Sequence, residues 1–132
     1  MGTLGYLLDT HTFLWSVRES HKLSKKAKKA IADTSIKSYV SAVTAYEIMN
    51  KYRIGKLNEF EYVVKNYIDI IHEFDVFELP LSTRHAHYAG EFEWEHRDPF
   101  DRQLAAQASI ENLTLITNDP AFDTLDWVNT MW

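Results

Sequence analysis

The chain has 132 residues, of which 45% are hydrophobic, which is enough for one domain with an apolar core and too few for two ordinary domains. It has no cysteine, which excludes disulfides and thiolate metal sites, and its formal net charge of −5 argues against a simple nucleic-acid-binding module. No apolar run is long enough for a membrane span. We therefore expect a single domain over residues 1–132 of a soluble, cytoplasmic protein without a membrane partner.

The first half of the chain predicts two strands and three helices, with a helix after each strand. In chain order they are a buried strand in LGYLLD (4–9), a helix in HTFLWSV, a helix in LSKKAKKAIAD (23–33) capped by Ser24, a strand in KSYVSA (37–42), and a helix in VTAYEIMNKYRIG (43–55) ended by Gly55.

The second half continues the same alternation. It predicts one helix over FEYVVKNYIDIIHEF (60–74), a strand in DVFELP, a helix in STRHAHYAGEFEW, a helix in HRDPFDRQLAAQA (96–108), a strand in LTLIT (113–117) and a last short strand in LDWVN. Such alternation is typical of a central, mainly parallel sheet with helices on both faces. The predicted fold is a three-layer α/β/α domain with four to five strands.

Five carboxylates fall where this fold brings strand ends and helix starts to one edge of the sheet. They are Asp9, Glu47, Asp98, Asp101 and Asp119. Clustered carboxylates repel one another unless a cation offsets their charge, and oxygen-only ligands suit Mg²⁺ or Mn²⁺. The pattern therefore favours a divalent metal site of the kind that assists phosphodiester cleavage.

Each of these carboxylates also has a purely structural interpretation. Asp9 suits the N-cap of a helix in THTFLW, and Asp119 suits the cap of the turn NDPAF. Glu47 lies four residues before Lys51 on a helix, so an ion pair between them is as plausible as a site role. No one of the three residues carries the metal-site hypothesis alone.

The segment HRDPFDRQLAAQA contains two aspartates that we expect to differ. Asp98 is a good N-cap and Pro99 suits the first helical position. Asp101 complements the helix dipole, but it also shares a stripe with the small residues Ala105 and Ala108, which lets the helix lie close to the sheet. We therefore assign Asp101 to the metal site and Asp98 mainly to the cap, with a supporting role.

Other catalytic sites find little support. The six histidines form no H-x-x-x-H or H-E-x-x-H pattern for zinc, and there is no G-x-S-x-G, G-x-G-x-x-G or Walker loop. We take His11 and His96 as candidates for the rim of the acidic site, and the remaining histidines as surface or packing residues.

Four segments together carry a family resemblance. YLLDTHTFLW, SAVTAYEIMNKYRIGKL, HRDPFDRQLAAQA and LTLITNDPAF, in this order, closely resemble the PIN-domain ribonucleases, in particular the VapC-type toxins of bacterial type II toxin–antitoxin systems. The resemblance covers nearly the whole chain. It implies a metal-dependent endoribonuclease with a catalytic quartet at Asp9, Glu47, Asp101 and Asp119.

The resemblance also implies a role for each residue. Asp9, Asp101 and Asp119 would hold Mg²⁺ or Mn²⁺ directly or through water, and Glu47 would help to position a water molecule or a second ion. Thr117 matches a position where the family commonly has Ser or Thr near the acidic centre. RNA hydrolysis would then proceed by in-line attack, without a covalent enzyme intermediate.

The implied partners are an RNA substrate, a second copy of the chain in a homodimer, and a cognate antitoxin whose C-terminal segment fills the groove. Because the net charge is negative, RNA would bind through local basic residues, for which the candidates are Lys51, Arg53, Arg97 and Arg102. The alternative is a catalytically weak PIN-like domain that binds RNA or protein. The presence of all four carboxylates favours the enzyme.

Overall fold

A computed structural model describes residues 2–132 and contains a five-stranded, fully parallel sheet. The strands are β1 (Tyr6–Leu8), β2 (Ser38–Ser41), β3 (Phe77–Leu79), β4 (Thr114–Ile116) and β5 (Thr130–Met131), and their order across the sheet is β3-β2-β1-β4-β5. The number of strands and their parallel direction confirm the prediction.

The described part of the chain also contains seven α-helices, which lie between the strands from β1 to β4. They are α1 (Thr10–Arg18), α2 (Lys25–Ala32), α3 (Ala42–Arg53), α4 (Glu61–Lys65), α5 (Tyr67–Glu73), α6 (Thr83–Glu91) and α7 (Pro99–Ile110), with 3₁₀ turns at Ser20–Lys22, Asn58–Phe60 and Pro120–Thr124. Ser24 caps α2 as predicted, by accepting a hydrogen bond from the backbone N–H of Ala27. Within residues 2–132, no helix has the length and hydropathy that crossing a bilayer requires.

The central strand β1 separates two apolar cores. Leu8 packs on one face with Phe13 and Ile48, beneath α1 and α3, whereas Leu7 packs on the opposite face with Leu104 of α7. Leu104 is almost completely buried, and the other four side chains are completely buried. Helices on both faces of the sheet give the three-layer α/β/α arrangement that the sequence predicts.

Helix α7 lies close to the sheet through small side chains. Ala105 and Ala108 are almost completely buried and belong to the same core as Leu115 of β4. Small residues allow a helix backbone to approach its neighbour closely. The predicted alanine stripe is therefore confirmed, and it fixes the position of the first turn of α7 relative to the edge of the sheet.

Two predicted elements are wrong in detail. The segment 60–74 is not one helix, because it breaks between α4 and α5 at Asn66, whose side-chain amide donates to the carbonyl of Tyr62. The last strand is not in LDWVN but follows it as β5. In LDWVN, Leu125 and Val128 are buried in a turn of the apolar core, and this packing replaces strand pairing.

The sheet register determines where the carboxyl ends of the strands lie. Leu8 of β1 is paired with Val40 of β2 on one side and with Ile116 of β4 on the other. The residues that follow these strands therefore meet at one edge, and α1 and α3 both begin there. This edge carries the acidic residues.

Candidate metal centre

Asp9 is held at the end of β1 by hydrogen bonds to both of its carboxylate oxygens. Its Oδ1 accepts from the backbone N–H of Thr12 at 2.8 Å, which makes Asp9 the N-cap of α1, and its Oδ2 accepts from the hydroxyl of Thr117 at 2.5 Å. Burial raises the pKa of Asp9 above its usual value, and these hydrogen bonds offset part of that rise. The capping interpretation and the site interpretation are therefore compatible.

Glu47 lies in the second turn of α3 and is buried, with 3% of its surface exposed. The hydroxyl of Thr10 donates to its Oε1, and the ammonium of Lys51 donates to its Oε2. Glu47 and Lys51 both line the acidic cleft described below. The predicted ion pair exists, and it places the two side chains in the cleft rather than on the outer surface.

The two aspartates at the start of α7 have different surroundings. Asp98 is the N-cap, and its Oδ1 accepts from the backbone N–H groups of Phe100 at 2.8 Å and Asp101 at 3.1 Å. Asp101 lies in the first turn, with its Oδ2 2.7 Å from Nε2 of His96. The predicted cap is confirmed, and both carboxylates line the cleft.

Burial raises the pKa of Asp101 to about 6. The hydrogen bond from His96 lowers this pKa, whereas the negative charges of Asp98 and Glu47 raise it further. A carboxyl group with such a pKa is mostly ionised at neutral pH, but ionising it inside the cleft costs free energy. The surroundings therefore favour a positive charge beside Asp101.

Asp119 caps the 3₁₀ turn that follows β4. Its Oδ1 accepts from the backbone N–H of Ala121 at 2.9 Å, and its own N–H donates to the hydroxyl of Thr117 at 3.0 Å. Thr117 therefore joins the backbone of Asp119 to the carboxylate of Asp9. The structure places Thr117 near the acidic residues, where it was predicted to lie.

The acidic edge forms an open cleft with a volume of about 430 Å³. Its lining consists of Asp9, Thr10, His11, Trp15, Glu47, Lys51, His96, Asp98, Asp101, Asn118, Asp119 and Pro120. All five predicted carboxylates and both predicted rim histidines are present in it. The structure thus brings together residues from four separate segments of the chain.

The donor atoms in the cleft fit a hard divalent cation. One donor atom each from His96, Asp101 and Asp119 lie within 4.8 Å of one another, which is a spacing that a single ion can bridge. Carboxylate oxygens are the ligands that Mg²⁺ and Mn²⁺ prefer, and an imidazole nitrogen also suits Mn²⁺. The buried carboxylate of Asp9 lines the same cleft and supplies further negative charge.

The four basic residues predicted to bind RNA do not occupy equivalent places. Lys51 lines the cleft, and Arg97 is exposed directly beside two cleft residues in the chain, His96 and Asp98. Arg53 is exposed and donates to the side chain of Asn50, away from the cleft lining.

Arg102 is directed away from the cleft. Its guanidinium donates to the backbone carbonyls of Ala89 and Phe92 at the end of α6, and it lies 4.3 Å from the centroid of the Phe92 ring. The position of Arg102 is that of a structural residue that joins α6 to α7. The structure does not bring this side chain to the other predicted RNA contacts.

Two contacts of the site were not identified from the sequence. The hydroxyl of Thr10 orients Glu47, and the imidazole of His96 contacts Asp101 directly rather than lying only at the rim. The position of Thr10 directly after Asp9 in a helix start is the one signal for the first contact. The second depends on how the loop before α7 folds back, for which the sequence has no local pattern.

Comparison with known proteins identifies the fold. The PIN domain family model matches residues 6–128. Among curated proteins, no sequence matches the chain. Solved structures with a similar fold include VapBC2 from Rickettsia felis bound to a promoter DNA fragment (TM-score 0.68, 19% identity, 96% of each chain covered).

Two further structures have the same fold over almost the whole chain. DNA-bound VapBC from Salmonella typhimurium matches with a TM-score of 0.69 and 20% identity over 97% of each chain. VapBC-5 from Mycobacterium tuberculosis, a member of the VapBC family of toxin–antitoxin systems, matches with a TM-score of 0.59 and 16% identity over 97% of this chain and 98% of that one. At these identities the structural matches establish the fold alone.

Proposed function

The chain belongs to the PIN domain family, a family of nucleases, and we propose that it is a divalent-metal-dependent endoribonuclease that acts as the toxin of a toxin–antitoxin pair. The observation that carries the proposal is the cleft in which Asp9, Glu47, Asp101 and Asp119 meet. Burial raises the pKa of Asp9 and of Asp101, so the cleft is a place where a bound cation would relieve a real electrostatic cost. An RNA substrate would place this activity in the cytoplasm.

In this proposal Asp9, Asp101 and Asp119 hold one Mg²⁺ or Mn²⁺ ion, with His96 beside them. A bound ion would neutralise charge on the scissile phosphate and make a nearby water molecule more acidic. Thr117 keeps the carboxylate of Asp9 and the backbone of Asp119 in a fixed relation through its two hydrogen bonds. Preorganised carboxylates of this kind need no rearrangement when substrate arrives.

Basic side chains near the cleft would bind the RNA backbone. Lys51 has three N–H donors, of which Glu47 accepts one, and the remaining donors are available to a phosphate oxygen in the cleft. Arg97 is exposed next to the cleft residues His96 and Asp98, whereas Arg53, at the end of α3, lies outside the cleft lining and would contact RNA only beyond the cleft. We expect RNA affinity that falls with increasing salt concentration.

The proposed protein partners are a cognate antitoxin and a second copy of the chain. Solved structures with this fold include a toxin–antitoxin complex, and this chain has exposed apolar side chains that such partners would cover. Tyr46 is 64% exposed and packs against Phe100 beside Leu81, around a groove of about 560 Å³. Exposed apolar regions of this kind are common at protein interfaces.

A catalytically weak PIN-like domain that binds RNA or protein is the second candidate. Its only specific support is the set of exposed apolar side chains, which a binding module would also have. The two functions differ in what they require of the acidic residues. A binding module would tolerate loss of one carboxylate, whereas the nuclease would not.

The substitution Asp9→Asn tests the proposal. Asparagine is as good an N-cap as aspartate, so α1 should keep its start and the protein its fold. We expect RNA cleavage in Mg²⁺ to fall by roughly 100-fold or more, because a metal ligand contributes several kcal/mol to the transition state. The measurement is cleavage of total RNA by the purified full chain, with circular dichroism as a check of the fold.

The matched control is Asp69→Asn, which removes one negative charge from an exposed position in the first turn of α5, outside the cleft. This variant should cleave RNA as the original chain does, and EDTA should abolish cleavage by both. Undiminished cleavage by the Asp9→Asn protein would refute the nuclease site. Growth inhibition on expression, relieved by the same substitution, would support the role as a toxin.

A further inference from the structure

Glu47 differs from the other carboxylates of the cleft in having a positively charged partner. Its Oε2 accepts from the Lys51 ammonium, its Oε1 accepts from the Thr10 hydroxyl, and its side chain is only 4% exposed. Both oxygens of this carboxylate are therefore engaged by donors from the protein. The negative charge of Glu47 is balanced before any metal ion is present.

The aspartates of the quartet lack such a partner. Asp9 accepts from a backbone N–H and a hydroxyl, and Asp119 accepts from a backbone N–H. Asp101 contacts His96, which carries charge only when it is protonated. Among residues 2–132, the ion pairs include no lysine or arginine bound to any of these three aspartates. Their charge is what a divalent ion would balance.

A second ion held by Glu47 and Asp101 would have to bind near the Lys51 ammonium. Its ammonium is close enough to Asp98 and Asp101 to interact with their charges, and it lines the cleft between α3 and the start of α7. In two-metal sites the ions are about 3.5–4 Å apart and share bridging carboxylates. An ion that used Glu47 as a ligand next to Asp101 would have to displace the Lys51 ammonium.

We propose that the cleft binds one divalent ion and that the fixed ammonium of Lys51, paired with Glu47, takes the place of a second. Lys51 is thus a positioning residue that determines how many ions the acidic residues accept. The inference rests on the proposed metal-dependent function and deepens it. It also assigns a reason for the Thr10 contact, since the hydroxyl keeps Glu47 directed towards Lys51 rather than towards the aspartates.

The test is to count Mn²⁺ ions bound by the full chain without RNA, by isothermal titration calorimetry and by electron paramagnetic resonance of free Mn²⁺. We expect one ion per chain for the original protein. Lys51→Met leaves Glu47 without its partner, and we expect a second ion to bind. Lys51→Arg keeps the charge and should bind one ion, and the double variant Lys51→Met with Glu47→Gln should return to one.

Lys56→Met is the matched control, because it removes a lysine charge from an exposed position just after α3, outside the cleft lining. It should bind one ion with unchanged affinity. Two ions bound to the original protein would overturn the proposal without reference to any variant. A folded Lys51→Met protein that binds one ion with the original affinity would overturn it as well.

Failure of this inference can be distinguished from failure of the proposed function. A chain that cleaves RNA but binds two ions contradicts the role of Lys51 and leaves the nuclease intact. A chain with the expected ion counts that does not cleave RNA in Mn²⁺ or Mg²⁺ contradicts the nuclease and leaves the role of Lys51 intact. A chain that binds no divalent ion contradicts both.

Discussion

Replacement of Asp101 by asparagine should stabilise the metal-free protein, although it removes a residue of the proposed site. The pKa of Asp101 rises from 3.8 to about 6, chiefly because the carboxyl group is buried. The native state therefore binds more protons than the unfolded state between these pH values, and stability falls as the pH rises. Asparagine has no charge to bury and keeps an oxygen that can accept from His96.

The magnitude follows from the size of the shift. About two pKa units at 1.36 kcal/mol each give about 3 kcal/mol of destabilisation once the carboxylate is fully ionised. Since 18% of the side chain is exposed, water screens part of this effect, and we expect about 1.5–3 kcal/mol. The extra free energy of unfolding of the Asp101→Asn protein should reach its full value above about pH 7 and fall to about one third of that value by pH 4.5.

Urea unfolding of both proteins in EDTA, from about pH 4.5 to about pH 7.5, measures this difference in the free energy of unfolding. Asp69→Asn is the matched control, because it removes a carboxylate from the first turn of a helix at an exposed position outside the cleft, and it should change stability by less than about 0.5 kcal/mol. Mn²⁺ at 100 times its dissociation constant should then stabilise the original protein by about 2.7 kcal/mol and the Asp101→Asn protein by much less. An Asp101→Asn protein that is no more stable in EDTA at pH 7.5, or whose excess stability is independent of pH, would refute the reasoning.

Three further substitutions separate structural residues from RNA contacts. Gln107→Leu should destabilise the protein by about 1–3 kcal/mol in urea unfolding, because the fully buried amide accepts from the hydroxyl of Ser41 and donates to the carbonyl of Pro80. Arg102→Met should destabilise the protein by a similar amount and leave RNA affinity unchanged. Arg97→Met should weaken RNA binding in a filter assay and reduce the slope of log affinity against log salt concentration by about one. The reverse pattern for the two arginines would contradict their assignment.

The acidic residues were predictable because their positions follow from strand ends and helix starts. Asp9 and Asp119 come directly after or shortly after β1 and β4, and parallel strands bring such residues to one edge. For Glu47 the sequence left two interpretations, a pair with Lys51 and a place in the site. The structure shows the ion pair and also Glu47 in the lining of the acidic cleft, because a buried carboxylate needs a partner wherever it lies.

The elements that sequence did not predict depend on contacts between distant segments. The apolar spacing over 60–74 continues through Asn66 and therefore predicts one helix. It contains no sign of the hydrogen bond from the Asn66 side-chain amide to the carbonyl of Tyr62, where the helix breaks. In LDWVN the apolar residues were assigned to a strand, whereas Val128 packs in the core and pairing begins only at Thr130. Burial alone does not distinguish a strand from a packed turn.

Arg102 shows a different limit, because its neighbour in the chain, Asp101, lines the cleft and Arg102 does not. Adjacent residues of an α-helix point about 100° apart, so Arg102 cannot face the same way as Asp101 on α7. The prediction that Arg102 binds RNA took no account of this rotation. The helix geometry directs one side chain into the cleft and the other onto the carbonyls at the end of α6.

The same carboxylates that form the cleft also begin the helices around it. Asp9, Asp98 and Asp119 each accept from backbone N–H groups at a helix or 3₁₀ start, and Asp101 lies in the first turn of α7. The positive end of a helix dipole stabilises a carboxylate there, which offsets part of the repulsion within the cluster when no metal ion is bound. A site built from N-caps is therefore able to hold several negative charges together in a folded chain, and each cap bond fixes the orientation of a ligand before the ion arrives.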